Sequence, residues 1–114
     1  MRIFLLLLIC TLLVIPLVSA EEIGIASFYT IKSSSDLTAS GEKFIESNLT
    51  CAYNDAPFGT ILKVTNLENN KSVFVKVNDR GGFKKYNRII DLSPKAFSAI
   101  ADLKDGLIKV KIEE

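Results

Sequence analysis

The chain begins with a long apolar stretch and then changes to short alternating segments. Residues 3–18 are almost entirely apolar, and Arg2 places a positive charge before them. Small side chains around Ala20 suit the site that a signal peptidase reads, and two glutamates end the apolar stretch. We therefore expect residues 1–20 to be a signal peptide cleaved after Ala20, with 21–114 as one folded domain. The alternative is an uncleaved membrane anchor, since about 20 apolar residues can span a bilayer.

Beyond the apolar stretch, the hydrophobic pattern is that of short β-strands. Apolar residues alternate with polar ones, or form short runs bounded by Gly, Pro, Asn, Asp and Ser, which is typical of strands and turns. The segments that fit are residues 23–29, 60–66, 72–78, 88–92 and 107–112. Two asparagines at 69–70 favour a tight turn with positive backbone angles, so residues 60–78 are predicted to form a hairpin.

One short helix is predicted after the fourth of these strands. Ser93 suits the N-cap, Pro94 suits the first helical position, and Phe97 and Ile100 repeat on one face. Gly24, inside the first strand, indicates a bulge or a close approach by a neighbouring group. Several short strands with a single helix indicate a compact, mainly-β barrel, and no linker divides the chain.

Composition narrows the possible functions. The chain has 14 Lys plus Arg and 13 Asp plus Glu, so loss of Arg2 with the signal peptide leaves the charges balanced. A balanced charge argues against a nucleic-acid partner, which normally attracts a basic surface. The chain has no histidine, which excludes Ser-His and Cys-His nucleophile systems and removes a main zinc ligand.

The two cysteines do not predict a disulfide. Cys10 lies in the middle of the apolar stretch and follows the bulky Ile9, so its position does not suit lipid attachment. Once the signal peptide is removed, Cys51 is the single cysteine left. Its apolar neighbours favour a small buried hydrophobe over a nucleophile.

Several short blocks occur together in an order and spacing that resemble the RlpA-like double-psi β-barrel family, named after rare lipoprotein A. The blocks are residues 24–29, 38–44, 49–52, 57–60, 64–67, 77–83 and 88–93. The similarity covers residues 23 to about 112. It implies an all-β, mainly-β fold: a six-stranded double-psi β-barrel with one short helix. Its members are exported proteins that act on bacterial peptidoglycan, relatives include lytic transglycosylases, and expansins are more distant.

The resemblance implies endolytic transglycosylase chemistry. A carboxylic acid protonates the oxygen of the β-1,4 bond between N-acetylmuramic acid and N-acetylglucosamine. The resulting carboxylate then removes the proton of the 6-hydroxyl, which attacks the anomeric carbon and gives a 1,6-anhydro sugar. This reaction needs no metal and no cofactor. We expect peptidoglycan glycan strands as the partner, no nucleic acid, no stable membrane anchor, a monomer, and a periplasmic or secreted location.

Two carboxylates are the candidate catalytic residues. Asp79, at the end of a predicted strand, is the first choice for the acid; the alternative is a turn residue that binds nearby backbone amides. Glu42 matches a carboxylate that active family members use. Asp91 is predicted to anchor the turn into the helix, and Arg80 could pair with Asp79 or Asp91. The candidate substrate-binding residues are Tyr53, Arg80, Tyr29 and Phe83.

Two positions depart from the family pattern. Active members usually carry Asp where this chain has Ile45, and His where it has Tyr53. Tyrosine can stack on a sugar, but with a pKa of about 10 it is a poor proton shuttle near neutrality. A catalytically silent glycan-binding module, or an expansin-like wall-loosening module, is therefore the alternative to the enzyme. A domain that docks another protein is a third hypothesis.

Overall fold

Six strands pair edge to edge and close into a barrel, with one α-helix packed beside them. The computed structural model describes residues 20–31, 36–82 and 87–114. Residues 1–19 of the predicted signal peptide and Phe83 lie outside these ranges. Within them, no helix is both long and apolar enough to cross a membrane. The strands are β1 (Glu21–Phe28), β2 (Thr50–Ala52), β3 (Ile61–Asn66), β4 (Ser72–Asp79), β5 (Arg88–Leu92) and β6 (Ile108–Glu113).

The order of strands around the barrel is β1-β5-β2-β4-β3-β6. β1 pairs in parallel with β5, and β2 pairs in parallel with β4. Parallel neighbours cannot be joined by a tight hairpin, so the chain crosses over between the members of each pair. The other four pairings are antiparallel, and β1 with β6 closes the barrel. The predicted six-stranded barrel is confirmed.

Alternate residues of the strands fill the barrel. On β4, the valines at 73, 75 and 77 are buried while Phe74 is 61% exposed, the period-two pattern of a strand with one covered face. The helix α1 (Pro94–Ile100) adds Phe97, which is fully buried and packs against Phe28 at 4.9 Å between ring centroids. Cys51 is also fully buried, the environment that its apolar neighbours favoured.

The predicted hairpin and helix are both confirmed. β3 and β4 pair antiparallel, and Asn70 in their turn has φ +61°. The Ser93 Oγ accepts a hydrogen bond from the Ala96 N–H at 3.2 Å, as an N-cap does. The close approach at Gly24 is confirmed too, because a Cβ there would come within 2.7 Å of the Ile89 side chain.

Two local features differ from the sequence-based expectations. β2 was not predicted, because its three residues are all buried and leave no polar alternation to read. The role predicted for Asp91 was wrong in detail. Its carboxylate accepts hydrogen bonds from Ser27 and from Arg88, so it ties β5 to β1. The turn into α1 is held by Ser93, whose hydroxyl donates to the Asn48 carbonyl at 2.6 Å.

Candidate active site

Asp79 ends β4 and is 8% exposed. Its Oδ1 accepts hydrogen bonds from the backbone N–H of Ala39 (2.8 Å) and of Arg80 (2.9 Å). Its Oδ2 accepts a hydrogen bond from the hydroxyl of Tyr29 at 2.7 Å. The hydrogen bonds from the two backbone N–H groups are those expected of a turn residue. The hydrogen bond from Tyr29, by contrast, joins β4 to the end of β1. A carboxylate has about four acceptor sites, so the arrangement leaves one of them on Oδ2.

A tight turn at residues 38–42 folds against the end of β4. The Thr38 N–H donates to the Glu42 carbonyl at 2.8 Å and closes the turn. The Ser40 N–H donates to the Asn78 carbonyl at 3.1 Å. Together with the bond from Ala39 to the carboxylate at the end of β4, these contacts bring the two candidate acids to the same end of the same strand.

Glu42 has a different environment from the buried acid. It is exposed, and its Oε2 accepts a hydrogen bond from the Lys76 Nζ at 2.9 Å. The hydrogen bond from Lys76 is the largest influence on the pKa of Glu42 and lowers it; burial opposes this effect, and a bond from the Asn78 side chain lowers the pKa again. Glu42 is therefore ionised near neutrality and suits charge stabilisation better than proton donation.

The Lys76–Glu42 pair gives a test by titration. We expect Lys76→Met to raise the Glu42 pKa towards its ordinary value, because the largest cause of the lowered pKa is removed. The carboxyl carbon of Glu42, followed by NMR against pH, reports the shift. Because the folded-state pKa is lowered, the pair stabilises the fold above the unfolded pKa and loses this effect as pH falls through the folded value. An unchanged Glu42 titration in the variant would contradict the assignment.

Arg80 does not pair with either acid proposed for it. Its Nη1 donates to the Tyr53 carbonyl at 2.8 Å, and its guanidinium lies 4.0 Å from the centroid of the Phe58 ring. The ion pairs of the described residues include none between Arg80 and Asp79, and Asp91 binds Arg88 instead. Neither Arg80 nor Arg88 therefore forms an ion pair with the Asp79 carboxylate.

The two candidate tyrosines are placed differently. Tyr29 is half-buried against Phe44, with 5.0 Å between ring centroids, and burial followed by its bond to Asp79 raises its pKa. Tyr53 is 7% exposed and belongs to the core, and its hydroxyl donates to Glu22 at 2.8 Å. Burial, followed by that bond, raises the pKa of Tyr53.

The structure therefore brings Tyr29 to Asp79 and directs the Tyr53 hydroxyl elsewhere. Glu22 lies at the start of β1 and Tyr29 just after its end. The two residues are therefore separated by roughly 20 Å along the strand. Sugar contact by Tyr53 stays a prediction, as does that by Tyr29, and Phe83 lies outside the described residues.

Three residues near the acids were not singled out from the sequence. Lys76 has no motif of its own, although its outward position in a predicted strand could have indicated it. Phe58 lies in the 57–60 block, but no role was assigned to it. Asn78 is 3% exposed, and its Oδ1 has no hydrogen-bond partner among the described residues. The same part of the chain contains no group of three or more His, Cys, Asp or Glu that could hold a metal ion.

The closed strand order with its two parallel pairs defines a double-psi β-barrel. Residues 21–112 match the protein family described as Lytic transglycolase, and the chain belongs to that family.

Curated relatives agree with this assignment. The chain is 49% identical over 98 residues to the endolytic peptidoglycan transglycosylase RlpA of Rickettsia bellii (strain RML369-C), covering 83% of this chain and 43% of the relative. It is 48% identical over 90 residues to the protein of the same name from Campylobacter jejuni, covering 79% and 32%. The chain thus spans less than half the length of these relatives.

Solved structures share the fold at low identity. The Streptomyces papain inhibitor superposes with a TM-score of 0.66 at 22% identity, covering 82% of this chain and 93% of the inhibitor. An aspartate-to-asparagine variant of an expansin from Clavibacter michiganensis, solved in complex with cellohexaose, gives a TM-score of 0.64 at 22% identity, covering 82% and 49%. At this identity the likeness concerns the fold alone.

Proposed function

We propose that this domain is an endolytic peptidoglycan transglycosylase, which cleaves the MurNAc-β-1,4-GlcNAc bond and leaves 1,6-anhydro-MurNAc ends in cell-wall remodelling. The observation that carries the proposal is Asp79. It is a nearly buried carboxyl held by three donors at the end of β4, and among the described residues no Lys or Arg forms an ion pair with it. The family match and the named activity of relatives that are nearly half identical support the same reaction.

In this proposal Asp79 moves the proton. Two amide donors occupy Oδ1, whereas Oδ2 accepts one hydroxyl, so Oδ2 is the atom that exchanges a proton with the glycan. Oδ2 protonates the leaving glycosidic oxygen and afterwards removes the proton of the 6-hydroxyl as that oxygen attacks the anomeric carbon. The Tyr29 hydroxyl and the two amides hold the carboxyl in one orientation through both steps.

Glu42 supplies negative charge in the same mechanism. The transition state resembles an oxocarbenium ion, which a nearby carboxylate stabilises. Lys76 keeps Glu42 ionised and fixes its direction through a bond of 2.9 Å. Glu42 thus acts as the charge-stabilising partner of Asp79.

A glycan-binding module without cleavage is the second candidate. Ile45 and Tyr53 favour it, because they replace the usual polar residues. Ile45 is 43% exposed and brings no polar group, and the Tyr53 hydroxyl is bound to Glu22. The glycan complex of the expansin, which shares the fold, is compatible with a binding role of this kind.

Product analysis separates the two candidates. The domain is incubated with purified glycan strands, and the products are analysed by mass spectrometry. Transglycosylation gives 1,6-anhydro ends, which are lighter by one water molecule than the reducing ends that a hydrolase makes. If the domain sediments with insoluble peptidoglycan but produces no new anhydro ends, it is a binding module instead.

We further propose that the mature domain is exported to the periplasm or beyond, since peptidoglycan lies there and the N-terminal residues have the pattern of a signal peptide. Expression with the native N-terminus in a bacterial host should release a protein that starts at Glu21. N-terminal sequencing of the extracytoplasmic fraction measures this directly. Retention of residues 1–20 on a membrane-bound product would favour the anchor.

A further inference from the structure

We propose that a depression between Phe58 and Lys76 is a binding subsite for one N-acetylated pyranose, with Phe58 as the stacking platform. The proposal rests on the proposed glycan function and deepens it. The depression has a volume of about 250 Å³ and is lined by Ser40, Glu42, Phe58, Gly59 and Lys76. Pockets for drug-sized ligands begin at about 300 Å³, so this one suits a single ring.

Phe58 lies at the surface of the barrel. Its side chain is 43% exposed and does not belong to the buried cluster of the barrel. It lies in a turn in which the Thr60 N–H donates to the Pro57 carbonyl at 3.2 Å. Gly59 follows with φ +93°, a conformation that favours glycine. The Gly59 N–H also donates to the Val77 carbonyl at 2.8 Å, which fixes the turn to β4.

The Phe58 ring is held in one orientation. The guanidinium of Arg80 lies 4.0 Å from the ring centroid and is itself fixed by the Tyr53 carbonyl at 2.8 Å. A cation over an aromatic face is a favourable contact, so Arg80 stabilises the ring from one side. The exposed part of the ring is left for the apolar face of a sugar. Because the ring is already ordered, binding loses less side-chain conformational entropy.

The other side of the depression is polar in the way that a sugar requires. The Glu42 carboxylate accepts from sugar hydroxyls, and the Lys76 ammonium donates to hydroxyl or acetamido oxygens. The two groups are joined at 2.9 Å, so each restricts the position of the other. An aromatic platform facing hydroxyl, carboxylate and ammonium groups matches a pyranose, which has an apolar face and polar edges.

The subsite adjoins the proposed catalytic acid. Glu42 and Ser40 belong to the 38–42 turn, whose Ala39 N–H binds the Asp79 carboxylate at 2.8 Å. The depression and the acid therefore share this turn, and we place a ring bound on Phe58 in the same glycan chain as the bond that Asp79 would cleave.

The test measures binding of tri-N-acetylchitotriose, a neutral β-1,4 trimer, to the ¹⁵N-labelled mature domain by NMR titration. We expect the amides of Ser40 and Gly59 to shift. Phe58→Ala should weaken binding about tenfold, and Phe58→Trp should restore it. Phe74→Ala is the matched control, because Phe74 is 61% exposed but does not line the depression. Its affinity should equal that of the wild type.

Three outcomes would overturn the subsite. These are no binding by the wild type, shifts confined to residues outside the depression, and an affinity of Phe58→Ala within twofold of the wild type. The assay needs no cleavage, so the subsite and the reaction can fail separately. If the subsite is correct and the domain is not an enzyme, trimer binding will depend on Phe58 while no anhydro product forms.

Discussion

Asp79→Asn is expected to lower the rate of 1,6-anhydro product formation by about 10²–10⁴-fold, the usual contribution of a positioned general acid or base. The substitution keeps the shape of the side chain, and its amide oxygen can still accept hydrogen bonds from the neighbouring amides. An amide cannot give up and regain a proton as the reaction requires. Timed digestion of purified glycan strands, with the products quantified by mass spectrometry, measures the effect.

Asp55→Asn is the matched control for this substitution, since Asp55 is exposed on a loop and does not line the depression beside Glu42. It should keep the wild-type rate. Thermal unfolding of both variants shows whether the barrel is intact. Equal rates for the wild type and Asp79→Asn would remove Asp79 from the mechanism. The absence of product from both would contradict the enzyme, and sedimentation with peptidoglycan would then test the glycan-binding module.

Phe97→Ala is expected to lower the free energy of unfolding by about 3–5 kcal/mol. The ring is fully buried between the helix and the barrel and packs against Phe28, so its removal loses apolar burial and leaves a cavity. A domain of this size has a total stability of about 5–15 kcal/mol, so the variant should be close to unfolding. Urea denaturation followed by circular dichroism gives the difference.

Phe74→Ala serves as the control for packing, because it removes the same ring from a position that is 61% exposed. It should change the free energy of unfolding by no more than about 0.5 kcal/mol. If Phe97→Ala and Phe74→Ala lower the free energy of unfolding by similar amounts, burial does not account for the contribution of Phe97 to stability. A loss at Phe97 below about 1 kcal/mol would show that the surrounding side chains collapse into the space.

The parts of the fold that have local signals were predictable. The β3–β4 hairpin has alternating strands around an Asn-Asn turn, and α1 has a Ser-Pro start; both formed as expected. β2 was missed because three buried residues carry neither alternation nor a turn signal. Its pairing with β4 and β5 depends on the whole barrel, and hydrophobic periodicity contains no information on such long-range contacts.

The candidate site shows the same limit. Asp79 could be selected from its position in a family block at a strand end. Its partners could not be derived from local pattern, because the hydroxyl of Tyr29 reaches it across 50 residues and the amide of Ala39 across 40. The direction of the Tyr53 side chain is likewise set by packing, which places the hydroxyl on Glu22. Residue types were therefore predictable, whereas hydrogen-bond partners were not.

The pairing of β1 with β6 has a consequence for how the domain folds. Glu21 lies opposite Glu113, so this seam joins the first strand to the last. A chain that emerges stepwise cannot close the seam until its final strand is available, and contacts this distant in sequence form slowly. Until then β1 lacks one of its two neighbours. The barrel should therefore remain open through most of the synthesis of the chain and close in one late, cooperative step.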